Sequence, residues 1–109
     1  VQEVRRSAIY QGGFSEDHII VHWFWVALGE MDLDNRALVL RFVTGTSKVP
    51  LDGFDPPFNV TSNEALDPAS LPKAHTCFNQ IVLPTYLTKQ ILVDKLLYAV
   101  KNSEGFLLG

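Results

Sequence analysis

Apolar residues recur with a helical period between Ile20 and Met31. Ile20, Trp23, Phe24, Ala27, Leu28 and Met31 fall at i, i+3, i+4, i+7, i+8 and i+11, one wide stripe. Ser15 stands where an N-cap would, and Glu16 and Asp17 suit the positive end of the helix dipole. Trp23, Phe24 and Trp25 predict that this helix dominates its half of the core, as packing rather than as a cofactor box. A second helix is expected from an N-cap at Asp34 to about Val43. Residues 37–40 with Phe42 and Val43 are apolar nearly all round, which predicts deep burial, and Gly45 is the natural stop. A third helix is expected from Thr88 to Asn102, with Val93, Leu96, Leu97 and Val100 inward, Asp94, Lys95 and Lys101 in water, and Gly105 ending it.

Between the second and third helices the pattern changes. Pro50, Gly53, Pro56 and Pro57 mark an irregular stretch. Phe58 to Thr61 alternates as a short strand does, and residues 63–70 read as polar loop. Leu71 to Leu83 reads as extended chain around a turn, with Ile81, Val82 and Leu83 a buried strand closed by Pro84. At the other end, Gly12 and Gly13 mark a turn or pivot. The sum is a single small α+β domain, about three main helices packed against a small sheet of short strands.

Length and charge narrow the function. The chain has 109 residues, enough for one domain with a real core. With 47% hydrophobic and 19% charged residues it is neither a disordered tail nor a coiled coil. A net charge of -3 gives no electrostatic case for a nucleic-acid partner. The longest apolar run, Ile19 to Leu28, is too short to span a bilayer and contains His22, so no membrane partner is expected. Val1 to Arg6 are polar and basic with no apolar stretch behind them, so no signal peptide is expected. One cysteine excludes an internal disulfide and points to a reducing compartment, cytosol or nucleus. His18, His22 and His75 are too scattered for a metal site, and no P-loop, dinucleotide fingerprint, GxSxG or HExxH is present, so neither metal nor cofactor is expected.

The lone cysteine, Cys77, can be a small buried hydrophobe or a nucleophile. Its neighbours His75, Thr76 and Asn79 are polar, which suits a partly exposed site. On an extended chain His75 and Cys77 would point to one face, where an imidazolium would favour the thiolate. A histidine that only bonds a carbonyl is the bland alternative.

Several ordered pieces go further. Gly12-Gly13-Phe14 is followed by Trp23-Phe24-Trp25, then by Leu40-Arg41-Phe42-Val43-Thr44-Gly45-Thr46-Ser47, Val49-Pro50 and Gly53-Phe54. Leu71-Pro72 and Ala74-His75-Thr76-Cys77-Phe78-Asn79 come next, then Leu83-Pro84, Tyr86, Leu96-Leu97, Ala99 and Gly105-Phe106. In this order the chain resembles the C-terminal lobe of HECT-type E3 ubiquitin ligases over nearly its whole length. The resemblance implies that Cys77 takes ubiquitin from a charged E2 as a glycyl thioester and passes it to a substrate lysine. It implies supporting roles for His75, Thr76 and Asn79 around the turn. For Phe106, near the chain end, it implies a part in setting the lobe arrangement for transfer. The partners it implies are ubiquitin, the charged E2, the ligase's own N-lobe and a substrate protein, with no cofactor. Residues 1–9 are expected to be a hinge and the end of that N-lobe, and residues 10–109 the C-lobe of a longer ligase. The stretch between Gly53-Phe54 and Phe58 is shorter than in many members, and Gly109 stands where many end in an acidic residue. Two other readings share the pattern: a non-catalytic module of the same fold that binds ubiquitin or a neighbouring lobe, and a thiol hydrolase, which would want a Cys/His/Asp base arrangement.

Overall fold

A computed structural model describes residues 2–63 and 65–102. Its elements run α1 (Gln2–Ser7), β1 (Ile9–Gln11), α2 (Ile19–Glu30), α3 (Leu33–Thr44), β2 (Asn59–Ser62), β3 (Lys73–His75), a 3-10 turn (Thr76–Phe78), β4 (Gln80–Leu83) and α4 (Lys89–Asn102). This is the expected α+β architecture, with the three main helices in place and a short α1 added.

The sheet has the order β1-β2-β4-β3, with β1, β2 and β4 parallel and β3 antiparallel to β4. Register sorts the side chains into rows, because alternate residues of a strand face opposite sides. Tyr10, Val60, Ile81 and Ala74 form one row, in which Val60 and Ile81 are wholly buried against the helices. The flanking rows are Ile9, Asn59, Gln80 and His75, and Gln11, Thr61, Val82 and Lys73. Polar groups on that second face satisfy one another. The Asn59 amide donates to Gln11 Oε1 at 3.0 Å, the Thr61 hydroxyl to Asn59 Oδ1 at 2.6 Å, and the Gln80 amide to Thr61 Oγ1 at 2.7 Å. β1 has only three residues, and its partner lies far along the chain, so no local pattern announces it.

Phe24, Trp25 and Phe58 form the aromatic centre of the core, with Phe24 and Trp25 edge-on at 5.1 Å between ring centroids. The sequence expectation placed the N-cap of α2 at Ser15, but the helix begins at Ile19 and is capped by His18. Nδ1 of His18 accepts from the Ile20 N–H at 3.1 Å, while the Ser15 carbonyl takes the His18 N–H in a separate turn. Phe14 packs its ring 4.7 Å from that of His18 and is itself buried, which seats this turn. The free carbonyls at the end of α2 are satisfied by Arg36, whose Nε and Nη2 donate to Met31 and Gly29.

For α3 the cap is Asp32, whose Oδ1 accepts from the Asn35 N–H at 2.8 Å, two residues before the expected Asp34. Gly45 closes the helix at φ 84, the left-handed conformation that glycine adopts without cost. The expected all-round burial of α3 does not occur. Val39 and Val43 are buried, while Ala37, Leu38, Leu40 and Phe42 are half-buried. The helix lies on the core by one edge and its flanks form the walls of surface grooves. In α4 the fully buried residues are Leu92, Leu96, Ala99 and Val100, with Val93 and Leu97 half-buried beside α2. Eight of its residues from Ile91 to Val100 are apolar, so periodicity alone leaves the centre of the stripe open by one position. Across the α2–α4 seam, Lys89 pairs with Glu30.

Candidate functional site

Cys77 lies in the 3-10 turn between β3 and β4, and it is exposed. The sequence puts a turn here because strand pairing resumes at once on its far side: His75 pairs with Gln80 across the antiparallel ladder, leaving four residues to reverse the chain. Asn79 completes the reversal at φ 50 and ψ 43, a left-handed conformation that asparagine tolerates better than most residues. Its N–H donates to the Thr76 carbonyl at 3.2 Å, which closes the turn.

His75, Thr76, Cys77 and Phe78 are all exposed, whereas Asn79 is 9% exposed. The thiol therefore stands on a short turn held from beneath rather than in a packed pocket. The extended chain on which His75 and Cys77 would share a face is not present, since Thr76–Phe78 form a 3-10 turn. Strand geometry ends at His75, the chain turns at once, and strand alternation no longer applies. Among the described residues no hydrogen bond joins the His75 ring to the thiol. The structure thus brings His75, Thr76, Cys77 and Asn79 onto one turn but gives each a different setting. Phe106 lies outside the described residues.

Sequence reasoning missed two neighbours. The carbonyl of Pro56 accepts the Asn79 side-chain amide at 2.7 Å, and the carbonyl of Asn79 accepts the N–H of Asn59 at 2.9 Å. Nothing local in the sequence links residues so far apart. The end of α3 also reaches the turn: a Cβ built on Gly45 would sit 4.0 Å from that of Thr76. Beside the turn, an apolar groove runs between β3 and α4, lined by Phe42, Leu71, Pro72, Ala74, His75 and Tyr98 among others. Tyr98 and Leu71 are exposed there, and on the turn itself Phe78 is 62% exposed.

Tyr86 secures the far side. It is buried, and its hydroxyl donates to the Ser70 carbonyl at 2.7 Å, which holds the preceding loop against β4. Burial pushes its phenol well above the usual tyrosine range. Among the described residues no cluster of three His, Cys, Asp or Glu side chains offers a metal site, and no helix is long and apolar enough to cross a membrane.

An exposed thiol on a braced turn can attack an activated acyl group presented from outside, because nothing encloses it. Comparison with known proteins bears on which acyl group. Residues 1–109 match the family described as HECT-domain (ubiquitin-transferase). The chain is 42% identical over 112 residues to E3 ubiquitin-protein ligase NEDD4 of Mus musculus, an alignment covering 97% of this chain and 13% of that protein. It is 39% identical to E3 ubiquitin-protein ligase Nedd-4 of Drosophila melanogaster, covering 97% of this chain and 11% of that one. With E3 ubiquitin-protein ligase pub1 of Schizosaccharomyces pombe it shares 41% identity over 99 residues, 85% of this chain and 13% of that one. The chain thus spans only a small part of the length of these relatives.

Proposed function

The chain belongs to the HECT-domain (ubiquitin-transferase) family, and from that premise we propose that it is the ubiquitin-carrying C-lobe of a longer ligase, with Cys77 as the acceptor thiol. In the first step the Cys77 thiolate adds to the thioester carbonyl at the ubiquitin terminal glycine. A new carbon–sulfur bond forms, the bond to the E2 sulfur breaks, and the E2 cysteine leaves as a thiolate. In the second step the neutral amine of a substrate lysine adds to the same carbonyl. The amide forms, Cys77 leaves as a thiolate, and the surplus proton of the amine passes to solvent.

The observation that carries this reading is the exposed Cys77 on its closed turn, inside the segment Leu71 to Asn79. Exchange between two thioesters is nearly isoenergetic, so access and positioning matter more than a strong base. In this reading residues 1–9 end the N-lobe, residues 10–109 form the C-lobe, and His75, Thr76 and Asn79 shape the turn. Phe106 acts at the lobe–lobe contact during transfer to lysine. The partners are ubiquitin, its charged E2, the N-lobe and the substrate protein, in the cytosol or nucleus.

The test is to mix the full-length protein with E1, E2, ATP and ubiquitin and to run a non-reducing gel. A thiol-sensitive ubiquitin adduct that maps to Cys77 is expected. No adduct at Cys77, with ubiquitin still bound non-covalently, would leave a binding module of the same fold instead.

A further inference from the structure

Asn79 makes three hydrogen bonds, one within its own turn and two to the stretch from Pro56 to Asn59. Its N–H closes the turn on Thr76, its carbonyl accepts from Asn59 at the start of β2, and its buried side-chain amide donates to the Pro56 carbonyl at 2.7 Å. The residues it supports are held less closely, although the end of α3 lies beside Thr76. Thr76, Cys77 and Phe78 are exposed, so side-chain packing does not fix where the thiol points. Rotation about the backbone at Asn79, only two residues on, would swing the turn and the thiol with it. The backbone there is already in the left-handed region, φ 50, which most residues enter only at a cost, so something must hold it.

We propose that Asn79 is a positioning residue for the Cys77 thiol and that the Pro56 carbonyl is its anchor, so that the loop between α3 and β2 sets the direction in which the thiol is presented. Acyl transfer between two thiols needs the attacking sulfur brought to about 3–3.5 Å from the carbonyl carbon, above the carbonyl plane, and a displacement of 1 Å can cost about 100-fold in rate. A turn held at one buried amide meets that demand while leaving the thiol open to a bulky partner. The length of the 53–58 stretch then matters to the reaction through Pro56, even though that segment carries no reacting group.

The proposal rests on the thioester reading above, and the test separates the two. Asn79→Gly keeps access to the left-handed backbone but removes the amide. Asn79→Asp keeps the shape but sets a carboxylate, which only accepts, against a carbonyl. In the full-length protein, single-turnover transfer of ubiquitin from a charged E2 should fall by roughly 10- to 100-fold in both variants. The E2 concentration giving half-maximal rate should stay unchanged. Lowering the pH through the carboxyl range gives the Asn79→Asp side chain an O–H to donate, so its rate relative to wild type should recover, whereas that of Asn79→Gly should not. Alkylation of Cys77 by iodoacetamide, which needs no fixed approach, should stay within about two-fold of wild type in both. Wild-type rates in either variant would overturn the proposal, as would a pH-independent deficit in Asn79→Asp, or alkylation that rises as transfer falls, since that marks an unfolded turn. A wild-type protein that forms no thiol-sensitive adduct would overturn the thioester reading itself, and this proposal with it.

Discussion

The indole N–H of Trp25 donates to the hydroxyl of Tyr10 at 3.1 Å, joining the most aromatic stretch of α2 to the edge strand β1. Trp25 is otherwise sealed in the core, so this hydroxyl is what lets a polar atom lie there without loss. Tyr10→Phe should therefore leave a buried donor unpaired and destabilise the 109-residue chain by about 1–3 kcal/mol. Urea unfolding followed by tryptophan fluorescence measures this, and an unchanged midpoint would show that the bond contributes nothing.

Gly12 sits at φ 70, and a Cβ there would lie 2.2 Å from the carbonyl oxygen of Ser62. Gly12→Ala meets both a disfavoured backbone and a clash with main chain that cannot rotate away. The expected loss is about 2–5 kcal/mol. Gly13→Ala, at φ 97 with nothing within 4 Å, should cost only the backbone part. Thermal melts of the two variants, compared side by side, separate the contributions.

Tyr86 gives the chain an alkaline limit. Its phenol is pushed up by burial in the folded state, so above the ordinary value of 10.0 the unfolded chain loses this proton before the folded one does. The folded state then binds more protons, and stability falls as pH rises. The slope due to this group is at most about 1.4 kcal/mol per pH unit. Tyr86→Phe should lower stability at neutral pH, through the lost bond to Ser70, but flatten the decline above pH 10.0. Equal slopes in both proteins would contradict this.

Cys77→Ser should keep the melting temperature within a degree or two, since the side chain is exposed. In the full-length protein it should either accumulate an alkali-labile oxyester with ubiquitin or accept none, because serine is the poorer nucleophile and leaving group. The isolated 109-residue chain, with its thiol intact, should take ubiquitin from an E2 much more slowly than the full-length protein. A tethered lobe raises the effective concentration of the two thiols and orients them. Equal rates would remove the need for a second lobe.

Phe106→Ala addresses the last residue implied by the resemblance. Loading of ubiquitin on Cys77 should persist in the full-length protein while transfer to lysine falls by roughly ten-fold or more, as expected when the burial of one aromatic ring biases docking. If loading and transfer fall together, the ring serves the fold instead.

What could be read from the chain, and what could not, follows from the range of the forces involved. The stripe from Ile20 to Leu28, the stop at Gly45 and the turn near Cys77 were legible because each is written within a few neighbouring residues. The His18 cap was not, because any of several polar residues could cap that helix and the choice is made by Phe14 packing against the histidine ring. The rotation of α4 by one position was undecidable from its own sequence, since Leu92 and Val93 are equally apolar and only contact with α2 and the sheet chooses between them. At the site, Cys77 was legible as chemistry, but its anchor was not: the bond from Asn79 to Pro56 joins residues that no pattern connects.

The pairing of Ile9 with Asn59 also has a consequence in time. A ribosome makes β1 and the aromatic helix α2 well before it makes β2, the strand that completes their side of the sheet. At about 5–20 residues per second, the roughly fifty residues between these partners take about 3–10 s. Throughout that interval the edge of β1 lacks its neighbour, and for its later two thirds Phe24 and Trp25 lack Phe58. Until Phe58 emerges, the aromatic face of α2 and the edge of β1 therefore stay open together on the nascent chain.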